Sequence, residues 1–325
     1  MEKKLVIGID VGGTNTEIGV VNKAGQILCQ KNISTNISQN FDEYIALLAS
    51  EINNCIEKIG TKKDFIGIGI GTPNGNYYKG TIDNAPNLPW KGILPFSEKL
   101  SQATGLKAVL TNDANAAAIG EGVYGGAKFM QHYAVITLGT GLGSGIVCDG
   151  KVLYGHDGFA GEFGHIVINS KSRRLCGCGR HGCLETYASA TGIAATLKSL
   201  LEKSNHKSSL RELEFHKITS LDVYKAAEKG DELALKAFDI TADVLAISLA
   251  NLTAVLSPEA IFLSGGLAKA GNILFDPLLK YYNQYVLRLF KEKTQILPSK
   301  LLNENTGLIG AAALALNEIK EGILI

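Results

Sequence analysis

Leu5-Val-Ile-Gly-Ile9 is an apolar run that leads directly into Asp10-Val-Gly-Gly-Thr14. The run predicts a buried strand, and the glycine-rich stretch after it predicts a loop. Glycines let backbone N–H groups approach a phosphate closely, and a threonine hydroxyl adds a further donor. An ordinary tight turn has a similar composition, so this loop alone does not distinguish a phosphate site from a plain connection.

An internal repeat strengthens the case for phosphate binding. Gly19–Leu28, a predicted strand, turn and second strand, resembles Gly145–Leu153 later in the chain. Each copy follows a glycine-threonine loop, Asp10–Thr14 in the first and Gly139–Gly143 in the second, which predicts two related domains. Neither loop has the Gly-Lys-Ser/Thr of a Walker A motif. The candidate phosphate ligands are Asp10, Gly12, Gly13, Thr14, Gly139, Thr140, Gly141 and Gly143, and Asp10 can hold Mg²⁺ directly or through water.

Strands and helices alternate along the rest of the chain. Residues 41–59 carry their apolar side chains on one helical face, and Gly60 ends that helix. Further helices are predicted at 112–122, 221–229, 232–256, 274–290 and 308–319. This alternation predicts α/β layers. A chain of 325 residues with 46% apolar composition also favours two domains over one.

A third glycine motif, Ser264-Gly265-Gly266, follows the predicted strand Ala260–Leu263. Two glycines where a strand meets a helix let a flat nucleotide pass close to the backbone. Gly265 and Gly266 are therefore candidate ATP-binding residues, with a plain loop as the alternative.

The overall charge excludes some partner classes. Lys and Arg number 32 against 31 Asp and Glu, and no basic block stands out, so we predict no nucleic-acid or anionic-membrane partner. The apolar run after Met1-Glu-Lys-Lys4 is too short for a signal peptide, and no run approaches the ~20 apolar residues of a membrane span. We predict a cytoplasmic protein.

Asn112 and Asp113 form a polar pair where a predicted strand passes into a helix. Ligands of α/β proteins gather at the carboxyl ends of strands, where an aspartate can accept the proton of an attacking hydroxyl. The structural alternative is a helix N-cap, for which asparagine and aspartate are both suited.

Three of the six cysteines, Cys176, Cys178 and Cys183, lie within eight residues and are separated by glycines. In a cytoplasmic chain this cluster indicates a metal rather than a disulfide. One imidazole would complete a closed Cys₃His site for a structural Zn²⁺. His165 and His181 are both candidates, and we favour His165 because it can reach the cluster from a neighbouring segment.

Glu162 and Glu185 flank the cysteine cluster. Carboxylates held on a rigid metal loop suit hydrogen bonds to vicinal sugar hydroxyls, although solvated surface charge is the usual role of a single glutamate. Together with Asn112, Asp113 and His165 they predict a polar pocket for a polyol. The side chain of Asn87, near the single tryptophan Trp90, can also reach a sugar hydroxyl, whereas Trp90 itself is expected to pack.

In their order and spacing, these motifs resemble the ROK family, which contains bacterial glucokinases, fructokinases, N-acetylhexosamine kinases and sugar-responsive repressors. The resemblance rests on Asp10-x-Gly-Gly-Thr14, Asn112-Asp113, Glu162-x-Gly-His165 and Cys176-Gly-Cys-Gly-x-x-Gly-Cys183-x-Glu185. It implies an α/β protein with the actin-like ATPase (ribonuclease H-like) fold, in which two domains surround a cleft. We expect residues 1–112 plus about 305–325 in the small domain, and 113–304 in the large one.

The resemblance also implies roles for residues. Asp113 would be the catalytic base, and Asn112, Glu162, His165 and Glu185 would bind the sugar. His165 would also hold the zinc with Cys176, Cys178 and Cys183. The two loops and Gly265-Gly266 would bind ATP with Mg²⁺. Relatives are commonly dimers, so a homodimer is expected.

Glucose is the predicted substrate because Asn84-Ala-Pro-Asn-Leu-Pro-Trp90 looks like the glucokinase members of the family. N-Acetylmannosamine, N-acetylglucosamine and fructose stay open, as does polyphosphate in place of ATP. Two rival classes are disfavoured. A repressor would need a helix-turn-helix segment before the Asp10 loop, and a silent sugar sensor would lack a phosphate loop or the base.

Overall fold

The computed structural model describes residues 5–320, and side chains as far as residue 318. This part of the chain contains thirteen strands and eight α-helices. The strands are β1 (Leu5–Val11), β2 (Asn15–Val21), β3 (Ile27–Ser34), β4 (Phe65–Thr72), β5 (Gly75–Asn76), β6 (Thr81–Asp83), β7 (Ile93–Leu94), β8 (Ala108–Asn112), β9 (Tyr133–Leu138), β10 (Leu142–Cys148), β11 (Lys151–Val152), β12 (Ala260–Ser264) and β13 (Gln295–Pro298). The helices are α1 (Phe41–Ile59), α2 (Phe96–Thr104), α3 (Asp113–Tyr124), α4 (Ala190–Lys203), α5 (Ser220–Glu228), α6 (Glu232–Leu256), α7 (Asn272–Tyr285) and α8 (Thr306–Lys320).

The chain divides into two compact units. Among the described residues, the first comprises 5–130, 145–161 and 303–320, and the second comprises 131–144 and 162–302. The first unit includes α3, which packs against α8. The ends of the expected small domain, residues 1–4 and 321–325, lie outside the described residues.

The first unit is built on a sheet of order β3-β2-β1-β4-β8. β1 pairs antiparallel with β2 and parallel with β4, and β4 pairs parallel with β8. β1, β4 and β8 therefore end at the same edge of the sheet. β1 is buried almost throughout, as expected for a strand covered on both faces.

Helices cover both faces of β1. On one face, α1 presents Tyr44, Leu48 and Ile52 to the core, and Asn40 caps its first turn. On the other face, α8 lies so close that a Cβ atom at Gly8 or Gly69 would overlap the helix backbone. Only glycine permits this approach of a helix to a strand.

The second unit contains β9, β12 and β13, which pair in parallel within the sheet β11-β10-β9-β12-β13. β10 begins in this unit and continues into the first, where it pairs antiparallel with β11. The order matches β3-β2-β1-β4-β8 strand for strand. The predicted internal repeat is therefore confirmed, with one glycine loop after β1 and the other after β9.

Two details of the predicted secondary structure are wrong. The helix expected at 274–290 ends at Tyr285, because Val286 adopts extended backbone angles and only a short 3₁₀ turn, Arg288–Phe290, follows. α2 and α4 were not predicted. α4 is capped by Ser189, whose side chain accepts a hydrogen bond from the Gly192 amide.

Within residues 5–320, every helix is too short or too polar to cross a membrane.

Candidate functional site

The first glycine loop joins β1 to β2 and is held through its backbone. The Gly12 amide donates to Asn15 O at 2.9 Å. The Thr35 hydroxyl donates to Gly12 O at 2.7 Å, and the Thr35 amide donates to Thr14 O at 2.8 Å. Asn36 Nδ2 donates to Gly13 O at 3.2 Å. The loop carbonyls thus accept hydrogen bonds from Thr35 and Asn36, in the segment that follows β3.

Thr35 is itself fixed by a buried hydroxyl network. Its Oγ1 lies 2.9 Å from Thr16 Oγ1, which lies 2.7 Å from the Tyr44 hydroxyl. All three residues are fully buried, and burial raises the pKa of Tyr44. The network connects the loop to α1. Sequence reasoning missed it, since Tyr44 was predicted only as part of an apolar helix face.

Asp10 lies next to this loop, close to the end of β1. Its carboxyl is half-buried, and burial raises its pKa to about 7, with smaller contributions from the negative charges of Asp113 and Glu17. The two aspartates predicted from separate motifs are therefore electrostatic neighbours. Together they form an acidic pair at the carboxyl edge of the first sheet, where α/β proteins bind ligands.

The structural alternative predicted for the Asn112-Asp113 pair, a helix N-cap, is the role that Asn112 has. Asn112 Oδ1 accepts from the Ala114 amide at 2.8 Å and from the Asn115 amide at 3.4 Å, so it is the N-cap of α3. Asp113 is the first helical residue, and its Oδ1 accepts a local bond from Ala114 N at 2.9 Å. Solvent reaches Asp113, yet the dense protein around the carboxyl raises its pKa.

Asn87 is exposed and lies against the first loop, since a Cβ atom at Gly13 would come within 2.9 Å of Asn87 O. Trp90 is buried instead. Its ring lies 4.3 Å from that of Tyr44, and its Nε1 donates to Ser38 O at 3.1 Å. The prediction that Trp90 packs is confirmed.

The second unit brings one histidine and three cysteines together. The ligand atoms of His165, Cys176, Cys178 and Cys183 all lie within 4.8 Å of one another. Zn–S bonds of about 2.3 Å at tetrahedral angles place two sulfurs about 3.8 Å apart. Cys178 Sγ and Cys183 Sγ lie 3.7 Å apart, and Cys176 Sγ lies 3.4 Å from His165 Nδ1. The donor set fits Zn²⁺, and exposed His181 is not part of this group.

The pKa values of the three thiols are shifted in opposite directions, since burial raises those of Cys176 and Cys183. Burial opposes ionisation of Cys178, but hydrogen bonds, chiefly from Arg180, outweigh it and lower the pKa of Cys178 to about 6. Glu162 Oε2 lies 3.8 Å from His165 Nε2, on the side of the ring away from Cys176. At this separation the two groups form an ion-pair contact and not a hydrogen bond.

The second glycine loop joins β9 to β10 and contacts Glu185. Glu185 Oε2 accepts from the Leu142 amide at 3.1 Å, and a Cβ atom at Gly141 would overlap that oxygen. Glu185 Oε1 lies 3.1 Å from Cys176 Sγ. One carboxylate therefore contacts both the cysteine cluster and the loop, a connection that the sequence did not predict.

Gly265 and Gly266 follow β12, as expected. Gly265 has a φ of +87° and lies against the backbone of Leu138 at the end of β9. A cavity of about 310 Å³ opens beside Gly266. It is lined by Ser220, Leu221, Tyr224, Phe238, Gly266, Leu267, Lys269 and Ala270. Its size and mostly apolar lining suit a flat heterocycle, and sequence reasoning had identified only its glycine edge.

The predicted site residues thus divide between the units. The first unit holds Asp10, Gly12, Gly13, Thr14, Asn87, Asn112 and Asp113. The second holds Gly139, Thr140, Gly141, Gly143, Glu162, His165, Cys176, Cys178, Cys183, Glu185, Gly265 and Gly266.

Comparison with known proteins places these features in a family. The sequence profile of the ROK family matches residues 6–318. The chain belongs to the ROK family. A glucokinase of Halalkalibacterium halodurans is 36% identical to this ROK protein over 319 residues, which cover 95% of the chain and 94% of the relative. The predicted family is confirmed.

Solved ROK structures share the fold. A ROK glucokinase of Streptomyces griseus in complex with glucose and AMPPNP superposes with a TM-score of 0.80 at 32% identity, covering 96% of this chain and 99% of that one. A ROK transcriptional regulator, a homologue of the E. coli MLC protein, gives 0.87 at 26% identity, covering 99% and 80%. The predicted actin-like ATPase fold is confirmed, and kinases and regulators both have it.

Proposed function

We propose that this ROK protein is an ATP-dependent hexose kinase that phosphorylates the 6-hydroxyl of glucose. The observation that carries the proposal is that Asn112 and Asp113 have different roles at the start of α3. Asn112 caps α3, so Asp113 is not needed for that purpose. It keeps a solvent-accessible carboxylate beside Asp10 at the sheet edge where the first glycine loop begins.

Asp113 would act as the base. Its carboxylate accepts the proton of the sugar hydroxyl while the hydroxyl oxygen forms a bond to the γ-phosphorus of ATP. The bond between that phosphorus and the β–γ bridging oxygen breaks, and ADP leaves. The transition state of phosphoryl transfer is loose, so positioning and charge supply most of the acceleration.

The sugar would be bound by Asn87, Asn112, Glu162, His165 and Glu185. Their amides, imidazole and carboxylates suit the hydroxyls of a polyol, because each offers a donor or an acceptor. Asn112 Oδ1 is engaged in capping, which leaves its Nδ2 to donate. His165 would bind the metal through Nδ1, the nitrogen nearer Cys176, and face a hydroxyl through Nε2.

ATP would use both glycine loops and the cavity beside Gly266. The amides of Gly12, Gly139 and Leu142 are engaged within the protein, so the amides of Gly13, Thr14, Thr140, Gly141 and Gly143 would bind phosphates. The cavity would take the adenine. Asp10 would hold Mg²⁺, which neutralises phosphate charge when bound. A divalent cation also keeps Asp10 ionised, since it offsets the cost of a buried carboxylate.

Zinc would be structural. Four protein ligands leave no open position for catalysis, so the ion would fix the loop that carries Glu185. Glucose is favoured over N-acetylhexosamines and fructose because relatives at 33–36% identity are named glucokinases. The homodimer, the cytoplasmic location and the expected domain boundaries stay predictions.

A coupled ADP-release assay with ATP and Mg²⁺ tests the proposal. Purified protein is offered glucose, mannose, fructose, N-acetylglucosamine and N-acetylmannosamine in turn. We expect glucose to give the highest kcat/KM. A clear preference for another sugar would keep the kinase and replace the substrate. Sugar binding by calorimetry without turnover on any sugar would instead favour a sensor, as in the ROK regulators.

A further inference from the structure

The segment Cys183–Thr191 connects the cysteine cluster to the second glycine loop. It starts at Cys183, one of the four candidate metal ligands, and ends in the first turn of α4. Between these points it forms a single 3₁₀ turn, Leu184–Thr186, and the Ser189 hydroxyl donates to Glu185 O at 2.7 Å. The segment is short and internally braced, so a displacement at one end is transmitted to the other.

Three hydrogen bonds attach this segment to the loop. Glu185 Oε2 accepts from the Leu142 amide at 3.1 Å. The Ala190 amide donates to Gly139 O at 2.8 Å, and Thr191 Oγ1 donates to Thr140 O at 2.8 Å. Three residues of the loop, Gly139, Thr140 and Leu142, are therefore hydrogen-bonded to the segment. These contacts fix where its remaining N–H groups point.

The opposite side of the segment is attached to the cysteine loop. The Cys176 thiol donates to Glu185 Oε1 at 3.1 Å, a bond that is lost when Cys176 gives up its proton to bind a metal. The attachment that persists with Zn²⁺ runs through the backbone, because Glu185 is two residues from the candidate metal ligand Cys183. The Arg174 guanidinium donates to Thr186 O at 2.8 Å and lies 4.1 Å from the centre of the Tyr187 ring. An ion that holds the cluster together thus also restrains the residues that hold the glycine loop.

We infer that Cys183–Thr191 couples the metal cluster to the Gly139–Gly143 loop, so that Zn²⁺ strengthens nucleotide binding as well as the sugar side of the site. The inference rests on the proposed role of this loop in binding phosphates. A loop that is already ordered loses less conformational entropy when a phosphate binds, so the nucleotide binds more tightly. Thr191 is a positioning residue in this coupling.

Thermodynamic linkage makes the coupling measurable in both directions. If Zn²⁺ tightens nucleotide binding by some factor, the nucleotide must tighten Zn²⁺ binding by the same factor. We expect a factor of roughly five or more, within the usual range for coupled sites. Zinc released to a colorimetric chelator should therefore fall when AMPPNP is present.

The experiment measures AMPPNP affinity by calorimetry on the full chain, before and after removal of zinc by a chelator. Circular dichroism checks that the zinc-free protein stays folded. We expect the zinc-free form to bind AMPPNP at least about fivefold more weakly. Equal affinities would overturn the coupling while leaving the kinase proposal in place. No nucleotide binding by the zinc-loaded protein would overturn both.

Thr191→Val keeps the test decisive if the zinc-free chain unfolds. This variant removes the hydroxyl bonded to Thr140 O without changing a metal ligand. The matched control is Thr294→Val, which removes a similar bond from a hydroxyl to Pro258 O, at 2.7 Å, elsewhere in the second unit. With zinc bound, Thr191→Val should weaken AMPPNP binding and release zinc faster than the control. Indistinguishable values for the two variants would overturn the inference.

Discussion

The two glycine loops occupy equivalent places in a repeated strand order, yet they are held in different ways. The loop after β1 is held by Thr35 and Asn36, and through Thr35 by a buried network that ends at Tyr44. The loop after β9 is held by Glu185 and Thr191, which belong to a segment that starts in the cysteine cluster. The first loop is held by a buried hydroxyl network, and the second is held by a segment that continues into the cysteine cluster.

The difference implies that two loops in equivalent positions can respond to different changes in the solution, one to zinc removal and the other to pH. Removing zinc should disturb the second loop and leave the first unchanged, because the Thr16–Thr35–Tyr44 network contains no candidate metal ligand. A change of pH should instead affect the first loop, because Asp10, whose pKa is raised, lies beside it. Three substitutions should separate the two loops, with effects that decrease from Asp113→Asn to Asp10→Asn to Thr35→Val.

Asp113→Asn should cause the largest loss. If Asp113, in the unit that carries the first loop, is the catalytic base, the variant should lose roughly 10²–10⁴-fold in kcat. This is the usual contribution of general-base catalysis. Sugar affinity by calorimetry should change little, because Asn112 still caps α3. Asp231→Asn, at the N-cap of α6, is the matched control and should keep its kcat, since asparagine caps equally well. Turnover near that of the parent protein would remove Asp113 from the mechanism.

Asp10→Asn should change how stability depends on pH. With its pKa raised to about 7, folded Asp10 keeps its proton from about pH 4 to 7, whereas the unfolded chain has lost it. The folded state therefore binds more protons, and the free energy of unfolding of the nucleotide-free protein should fall as pH rises across this window. After discounting for partial exposure, we expect a loss of about 1–3 kcal/mol.

Melting temperatures from pH 4.5 to 7.5 measure this effect without Mg²⁺ or nucleotide. Asp10→Asn should flatten the decline seen in the parent protein. Asp222→Asn is the control, because hydrogen bonds from Thr219 lower the pKa of Asp222 and its titration is complete below this window. Parallel curves for Asp10→Asn and the parent would contradict the prediction.

Thr35→Val should give the smallest effect and the sharpest contrast with Thr191→Val. It removes the hydroxyl that donates to Gly12 O and also contacts Thr16 Oγ1. Only the bond to Gly12 O touches the loop, so AMPPNP affinity should fall roughly three- to tenfold, and the lost contact with Thr16 should lower stability. Zinc release should stay unchanged, unlike in Thr191→Val. Thr104→Val, which removes a buried bond to Leu100 O at 2.7 Å in the same unit, controls for stability. Faster zinc release from Thr35→Val would show that the loops are not independent.

Much of the fold could be predicted because its signals are local. The apolar face of 41–59 and the stop at Gly60 give α1 with both ends correct. The spacing of Cys176, Cys178 and Cys183 identifies the cluster because the ligands are close on the chain. The similarity of two short segments predicted a repeated strand, loop and hairpin, which the structure contains within two sheets of matching strand order.

The supports of the site could not be predicted, because they join residues that are far apart in sequence. Thr16 and Tyr44 are separated by 28 residues, and Leu142 and Glu185 by 43. A buried tyrosine on an apolar helix face carries no sign of a hydrogen-bonded partner on a strand. Glu185 was predicted as a sugar ligand from its place beside the cysteines, and nothing local indicates that it also contacts a distant loop.

The close packing of α8 has a consequence for how the protein is made. The helix that covers Gly8 and Gly69 is formed by residues 306–320, whereas β1 begins at residue 5. At roughly 5–20 residues per second, a ribosome needs on the order of 15–60 seconds to pass from one to the other. During that interval Val6 and Val21 lack the alanines of α8 that bury them. The second unit, although later in sequence, is fully synthesised before the first can close its core.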